Sequence, residues 1–379
     1  MSARTGSGPG ALTRVFGSQW FVSVLAVIIA FAIGAILIAL SGASVLDAYY
    51  AMFRGSIVDP NASTFVRQIK PLTDSLFYSI PLIISGLGLA LGFRAGLFNI
   101  GGKGQIIVGA LAAVWVGFAV NLPPVLHTLV ALLVAVIAGG LYGGIAGVLK
   151  AKTGANEVIV TIMLNSIATL GLGYTLAQKA WQVPGTNQPV TPKVAESAAL
   201  ARLLPAPFKL HVGFLVALAA LVAFWWLIER STLGFQIRAV GANAAAARTA
   251  GISVERITAI TMVISGAFLG LAGANEALGT IGYVSRDVAG SIGFDAITVA
   301  LLGRNKTWGT FGAGLLFGAF KAGGYTMQAK GVPIDMILIL QSVIVLLIAA
   351  PALVRWLFRL PDARALAART RKGDADEHK

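Results

Sequence analysis

The sequence predicts an all-α polytopic membrane protein with about ten transmembrane helices, some of them broken. Hydrophobic residues make up 57% of the 379-residue chain and charged residues only 12%, and the mean hydropathy is +0.82. A soluble domain carries about 25% charge, so this composition requires lipid as the solvent. The apolar residues cluster in runs close to the ~20 residues that a helix needs to cross a bilayer. The 45 glycines suit close packing between such helices.

The predicted spans follow the apolar runs in chain order. They cover Trp20–Leu40, Asp74–Phe93, Gln105–Val120, His127–Leu149, Val158–Gln178, His211–Ile228, Ile257–Ala277, Phe294–Leu302, Thr310–Ala329 and Ile334–Leu353. The first run exceeds the ~7–15 apolar residues of a signal peptide, so we expect it to remain as a helix. The eighth run is too short to span alone. It is either a broken segment or part of a longer tilted helix that begins near Val288.

The net charge of +14 predicts membrane orientation rather than nucleic-acid binding. Ten spans place both termini on one side. With both termini inside, the inside segments hold roughly twice as many lysines and arginines as the outside segments. Because the cytoplasmic side retains basic residues, this bias predicts an N-in, C-in topology.

The predicted organisation has three parts and two long outside loops. A cytoplasmic segment (1–19) precedes the transmembrane domain (20–354), and a basic cytoplasmic tail (355–379) follows it. The outside loops are Ser41–Thr73 and the proline-rich Ala180–Leu210. Proline does not continue a helix, so the second loop is either a surface for an extracytoplasmic partner or a plain connector.

One inside loop, residues 229–256, is the longest polar stretch between spans on that side. Asn243 is suited to cap a helix of roughly two turns through the alanines that follow it. Gly251 suits the left-handed residue that ends a helix, and Gly241 is expected to bound the helix on the other side. Such a helix fits a groove on another protein, although an ordinary structured loop is the alternative reading.

Polar residues at membrane depth usually face a cavity or another helix, because lipid cannot satisfy them. The candidates for lining a substrate pathway are Asn99, Gln105, Glu157, Asn165, Glu276 and Asp295. Glu157 also suits a helix N-terminus electrostatically, and Asn165 lies two turns further along the same face. For Lys321, the deepest predicted charge, we expect a carboxylate partner such as Asp295 or Glu276.

The stretch FNIGGKGQ (Phe98–Gln105) combines glycines with a lysine but is not a phosphate-binding loop. The motif G-x-x-x-x-G-K-[ST] requires glycine where Leu97 stands and serine or threonine where Gly104 stands. Its glycines are expected to break a helix where irregular backbone is buried in protein or lines a cavity. The three histidines lack metal-ligand spacing and no Gly-x-Ser-x-Gly motif occurs, so no catalytic, metal or cofactor site is predicted.

Four segments carry a resemblance to a known family. The stretch Ser231–Ile252 resembles the cytoplasmic coupling loop of ABC importer permeases for simple sugars, nucleosides and branched-chain amino acids. The matching positions are Leu233, Gly234, Arg238, Ala239, Gly241, Asn243, Ala246, Ala247, Gly251 and Ile252. The segments that begin at Gly96, Gly154 and Gly293 also resemble the family, in its order, and the whole set is most similar to the nucleoside importers. Lys103 departs from the pattern, because glutamate is common there.

The resemblance implies a function without catalysis by this chain. It implies a permease subunit in a bacterial cytoplasmic membrane, importing nucleosides while a separate ABC ATPase hydrolyses ATP. The coupling residues would be Arg238, Gly241, Asn243, Ala246, Ala247, Arg248, Gly251 and Ile252. Further partners would be a second, different permease and an extracytoplasmic binding lipoprotein. A simple-sugar permease is the nearest alternative, and a self-contained secondary transporter is another.

Overall fold

The computed structural model describes residues 19–329, 331–333 and the isolated positions 336, 338–339, 342–343 and 346–347. Most of the predicted N-terminal segment, the tenth span (Ile334–Leu353) and the tail (355–379) lie outside the described residues. The described α-helices are α1 (Gln19–Leu40), α2 (Val45–Ser56), α3 (Phe65–Arg94), α4 (Gly102–Ala119), α5 (Leu126–Thr153), α6 (Glu157–Ala177), α7 (Gly213–Trp225), α8 (Thr232–Ala242), α9 (Ala244–Thr249), α10 (Val254–Asn275), α11 (Ile292–Leu302) and α12 (Thr307–Gln328). Two of them continue as π-helical turns, α7 through Arg230 and α10 through Ile281.

The chain divides into two compact units, residues 1–51 with 324–379 and residues 52–323. In the first unit, the hydroxyl of Tyr49 donates to the carbonyl of Phe31, and their rings meet edge to face at 5.4 Å. The helices α1 and α2 that carry these residues form a pair bent by 120°.

Six helices within the described residues are long and apolar enough to cross a membrane, or seven if the bent pair of α1 and α2 forms one span. The six are Phe65–Arg94, Gly102–Ala119, Leu126–Thr153, Glu157–Ala177, Gly213–Arg230 and Val254–Ile281. The all-helical prediction is confirmed. The prediction of about ten spans and the orientation of the termini stay predictions.

The predicted outside loop Ser41–Thr73 is wrong in part, because it contains α2 and the first turns of α3. The helix α3 begins at Phe65, nine residues before the predicted span. Thr64 caps it by accepting the N–H of Arg67, and Lys70 pairs with Asp74 one turn apart. These charges lower the hydropathy of the stretch without breaking the helix.

The core of the second unit forms where α10 packs against α5, with α4 and α3 also in contact with it. Glycines allow the backbones of α5 and α10 to approach closely. A Cβ on Gly139 would come within 2.5 Å of the carbonyl oxygen of Gly266, and one on Gly270 within 2.3 Å of that of Ala135. This contact therefore depends on glycine at both helices.

The predicted eighth span is a short helix, α11. Val288 lies in a turn before it, so the alternative of a longer helix that begins there is wrong. Arg304 and Asn305 adopt left-handed backbone angles (φ 54° and 55°) in the turn that follows α11. The ninth predicted span corresponds to α12, which begins at Thr307.

The proline-rich loop 180–210 is held to the bundle through its backbone. Thr191 N–H donates to the carbonyl of Val284, and Leu200 N–H to that of Leu278. Ala195 N–H donates to the carbonyl of Gly117 at 2.8 Å. The loop therefore lies across the ends of α4 and α10 as ordered structure.

Candidate functional site

The centre of the candidate site is a helix break between α3 and α4, residues 95–101. Gly96 has a left-handed backbone angle (φ 73°), and the N–H of Leu97 returns to the carbonyl of Gly92. The chain then runs without helical hydrogen bonds until α4 begins at Gly102. Irregular backbone inside a membrane needs partners from protein, because lipid offers none.

Three side chains of α6 supply those partners at intervals of four residues. Glu157 accepts the N–H of Phe98 at 3.5 Å, and Thr161 accepts that of Ile100 at 3.2 Å. Asn165 accepts the N–H of Gly104 at 2.8 Å and donates to the carbonyl of Ile100 at 2.8 Å. Four-residue spacing places the three side chains on one helix face, so α6 supports the whole break.

Asn99 and Gln105 point into the protein and bond to each other. Asn99 Nδ2 donates to Gln105 Oε1 at 2.9 Å, and Gln105 Nε2 donates to Asn99 Oδ1 at 3.0 Å. Asn99 also donates to the hydroxyl of Ser265 on α10 at 2.9 Å. Both residues are at most 2% exposed. Their amide groups therefore stabilise the break from its inner side.

A cavity of about 530 Å³ lies on the other side of the break. Its lining combines apolar and polar side chains from the break, α4, α6 and α11. The lining residues are Ile100, Lys103, Ile162, Asn165, Ser166, Thr169, Leu170 and Phe294. Lys103 has no hydrogen bond or ion pair through its side chain with any other described residue. Because Gly104 contacts Asn165, Lys103 lies about 12 Å along α6 from Glu157, away from the helix end.

Asn165 is the one residue of the six predicted pathway residues that lines this cavity. Glu157 instead pairs with Lys150 at the end of α6, beside the N-cap Asn156. Asp295 accepts from Ser291 at 2.7 Å and lies 3.5 Å from Lys321, which confirms the expected partner of that lysine.

The sixth predicted pathway residue, Glu276, is buried and accepts from Thr280 at 3.3 Å. The six predicted pathway residues therefore do not form one group. Four of them lie in or contact the helix break, whereas Asp295 and Glu276 lie elsewhere.

Ser166, Thr169 and Phe294 were not among the sequence-predicted pathway residues. Thr169 continues the four-residue series of Thr161 and Asn165, so helical spacing could have identified it from the sequence. Ser166 lies on α6 and Phe294 on α11, and their meeting at this cavity depends on the packing of distant helices, which spacing does not encode.

The predicted inside loop, residues 229–256, contains two helices, α8 and α9. Asn243 caps α9 as predicted, accepting the N–H of Ala246 at 3.0 Å, and Gly251 is left-handed (φ 84°) after the helix. The α9 helix has six residues, close to the roughly two turns predicted. Gly241 does not bound it, because Gly241 lies inside α8.

A second cavity, of about 580 Å³, lies between α8 and α9. Most of its lining is small or apolar. The lining residues are Thr232, Phe235, Gln236, Ala239, Ala242, Asn243, Ala246, Ala247, Ala250 and Ile252. Phe235 is 60% exposed beside it. Four of the predicted coupling residues, Asn243, Ala246, Ala247 and Ile252, therefore share one concave surface.

The remaining predicted coupling residues lie around this surface. Arg248 pairs with Glu255 at 2.6 Å, at the exposed end of α9. A nitrogen of Arg238, Nη1, is buried with no hydrogen-bond partner in the described part of the chain. Gly241 contacts the last residue of α3: a Cβ there would lie 2.0 Å from the carbonyl oxygen of Arg94. The α8 helix thus packs on the residue that precedes the helix break.

Comparison with known proteins gives a family match over most of the chain. Residues 72–349 match the family described as "Branched-chain amino acid transport system / permease component". No solved structure matches the chain.

Three curated relatives match over at least 85% of their length. The guanosine ABC transporter permease protein NupP of Bacillus subtilis is 40% identical, over 89% of this chain and 95% of the relative. The glucose ABC transporter permease protein TsgB13 of Haloferax volcanii is 35% identical, over 85% of each. The nucleoside ABC transporter permease protein NupB of Lactococcus lactis is 31% identical, over 92% and 94%.

Proposed function

This chain belongs to the family of branched-chain amino acid transport system permease components, and from that membership we propose that it forms the translocation pathway for nucleosides in an ATP-driven importer of a bacterial cytoplasmic membrane. The observation that carries the proposal is the 40% identity to a guanosine permease over 95% of that relative. The family description names amino acids, whereas the similar relatives are named for guanosine, nucleosides and glucose. We therefore infer nucleosides as the solute.

The cavity beside the helix break has the chemistry that a nucleoside requires. Phe294 is 54% exposed at this cavity and offers an aromatic face to a base. Asn165, Ser166 and Thr169 offer donors and acceptors for ribose hydroxyls. Lys103 adds a charged donor for a carbonyl oxygen of the base. A mostly apolar site with a few polar groups is the usual form of a small-molecule site.

The concave surface between α8 and α9 is the proposed seat for a separate ATPase subunit. Its support is the shape of the cavity and the exposed Phe235 at its edge. Movement of α8 would pass directly to Arg94, because Gly241 packs on that carbonyl. Arg94 is followed at once by the helix break that lines the first cavity. This short path links ATPase closure to the proposed solute site.

Two further partners belong to the proposal. The resemblance to nucleoside importers favours a second, different permease subunit beside this one. The ordered loop 180–210, fixed to the ends of α4 and α10, is the proposed contact for an extracytoplasmic substrate-binding lipoprotein. The predicted N-in, C-in orientation places this loop on the outer face.

A simple-sugar permease is the second candidate, and the 35% identity to a glucose permease favours it. A self-contained secondary transporter needs ion-coupling charges in the membrane. Lys321, Asp295 and Glu276 are the charges that such a transporter could use, and Asp295 and Lys321 already pair with each other. We therefore rank the secondary transporter below both ABC importers.

Reconstitution tests the proposal. The chain is co-purified with a candidate ABC ATPase, a second permease and a binding protein, and placed in liposomes. We expect ATP-dependent uptake of labelled guanosine that unlabelled adenosine or uridine reduces and that excess ribose or glucose does not. If only ribose or glucose reduced this uptake, the chain would be assigned as a sugar permease instead. Uptake by this chain alone, driven by an ion gradient without ATP, would overturn the importer assignment.

A further inference from the structure

A third cavity, of about 590 Å³, lies at the end of the bundle where the spans of α3 and α7 finish. The last residues of these spans, Arg94 and Arg230, both line it. The turn before α12 contributes Lys306, and the first turn of α12 contributes Thr307 and Trp308. Since both spans end here, the cavity lies at the level where a bilayer changes from hydrocarbon to headgroups.

Positive charge exceeds negative charge in this cavity. Arg94, Arg230 and Lys306 line it together with one carboxylate, Glu229. That carboxylate lies 3.7 Å from Arg94, whose Nε also donates to the carbonyl of Asn305 at 2.8 Å. Arg230 and Lys306 have no carboxylate partner within the described residues. Two cations therefore remain for a ligand, while Arg94 and Glu229 hold each other.

The arrangement of the remaining groups also favours an anion. The guanidinium of Arg230 stacks over the ring of Trp225 at 5.3 Å, which holds it in the cavity wall. The first turn of the 22-residue helix α12 opens into the cavity, and its N–H groups and dipole favour negative charge. Arg230 and the N-terminus of α12 therefore face the cavity from two sides.

Two tryptophans indicate that the cavity lies at the membrane–water interface. Trp225 and Trp308 both line it, and Trp308 is 68% exposed. Tryptophan rings concentrate at the level of lipid headgroups, with one side in acyl chain and the other in water. A soluble phosphate makes no use of such exposed rings, whereas the glycerol and upper acyl chains of a lipid do.

We propose that this cavity binds the phosphodiester headgroup of an anionic phospholipid, with Arg230 and Lys306 as the contacting cations. Its volume falls within the ~300–1,000 Å³ of small-ligand sites. Basic pockets between helix ends on the cytoplasmic side have this ligand chemistry. The site is separate from the proposed solute cavity and does not depend on which solute is carried.

Native mass spectrometry of the assembled transporter tests the assignment. The assembly is titrated with phosphatidylglycerol and, separately, with phosphatidylcholine. Losing one cation that directly contacts an anionic headgroup weakens lipid binding about fivefold. We therefore expect Arg230→Gln or Lys306→Gln to weaken phosphatidylglycerol binding about fivefold, and the double variant about 25-fold. The matched control is Lys152→Gln, an exposed lysine at the end of α5 and outside the cavity, which should leave binding unchanged.

Several results would overturn the proposal. Equal binding of phosphatidylcholine, or equal losses in the Lys152 control, would show that the two cations select no anionic lipid. Displacement of the lipid by millimolar inorganic phosphate would show a free-phosphate site instead. Lipid binding by the permease subunits purified without the ATPase but not by the full assembly, with weaker ATPase binding by the double variant, would assign the cavity to that subunit's docking surface.

Discussion

The carbonyl oxygen of Arg94 lies against the Cα of Gly241, so that a Cβ at position 241 would come within 2.0 Å of it. Arg94 ends α3, and the helix break that supports the candidate solute cavity begins at the next residue. Gly241 belongs to α8, next to the proposed ATPase seat. The two proposed functional surfaces therefore meet through close backbone contacts between Gly241 and residues 94–96.

This contact predicts that Gly241→Ala impairs coupling. The added methyl group forces α8 away from α3, at a cost of about 1–3 kcal/mol for overpacking. We expect ATP-driven uptake to fall several-fold, measured in liposomes that contain equal amounts of assembled transporter. Gly312→Ala is the control, because a Cβ on that helical glycine meets nothing within 4 Å. Uptake by Gly241→Ala at the level of this control would disprove the role of the contact.

Asn165 makes a second prediction, about the stability of the helix break. Asn165→Ala leaves the N–H of Gly104 and the carbonyl of Ile100 without their partner. Each unsatisfied buried group costs about 1–3 kcal/mol, so the melting temperature should fall by several degrees. Asn165→Asp keeps the acceptor but loses the donor, so its melting temperature should lie between those of the wild type and the alanine variant.

The neighbouring residue supplies the control for this measurement. Ser166 lines the same cavity and is exposed, but no side-chain hydrogen bond joins it to another described residue. Ser166→Ala should therefore melt at the wild-type temperature. Equal melting of Asn165→Ala and Ser166→Ala would mean that the break does not depend on its support from α6.

Helical spacing predicted part of this site from the sequence. Glu157 and Asn165 are eight residues apart, which places them on one face, and both contact the break. The helix caps could also be predicted from the sequence. Asn243 marks the start of α9 and Gly251 its end, because of their own backbone preferences. These features are local, so they depend only on residues that are near in sequence.

Features that depend on distant contacts were not predicted. Asn99 and Gln105 were expected among the pathway residues, but the irregular backbone at Asn99 turns its side chain toward Gln105 on α4. Gly241 was expected at a helix boundary, whereas its role is to admit the carbonyl of Arg94. The sequence placed the start of α3 too late, because the charged residues in its first turns lower the local hydropathy.

A third prediction concerns the packing of α5 on α10. Gly139→Ala would place a methyl group 2.5 Å from the carbonyl oxygen of Gly266, so the helices must separate. We expect a loss of about 1–3 kcal/mol, seen as a lower melting temperature. Gly171→Ala on α6 meets open space and should be neutral or stabilising by less than about 1 kcal/mol. A smaller loss for Gly139→Ala than for Gly171→Ala would contradict the packing seen here.

The last prediction concerns Lys103, a charge two helical turns from the end of α6 without a side-chain partner in the described residues. Ionisable groups at membrane depth are costly and usually serve a pathway. A hydrogen bond to a charged donor contributes about 1.5–3 kcal/mol. If Lys103 donates one to the solute, Lys103→Met should raise the KM of ATP-driven uptake by about 10- to 100-fold.

Two comparisons separate this role from packing. Lys152→Met, at an exposed position at the end of α5, should leave KM unchanged. The melting temperature of Lys103→Met should stay near that of the wild type, because no described side chain loses a hydrogen bond or an ion pair. A lower melting temperature with an unchanged KM would assign Lys103 to the packing of the break. A raised KM in a variant of normal stability would place Lys103 among the residues that the solute contacts.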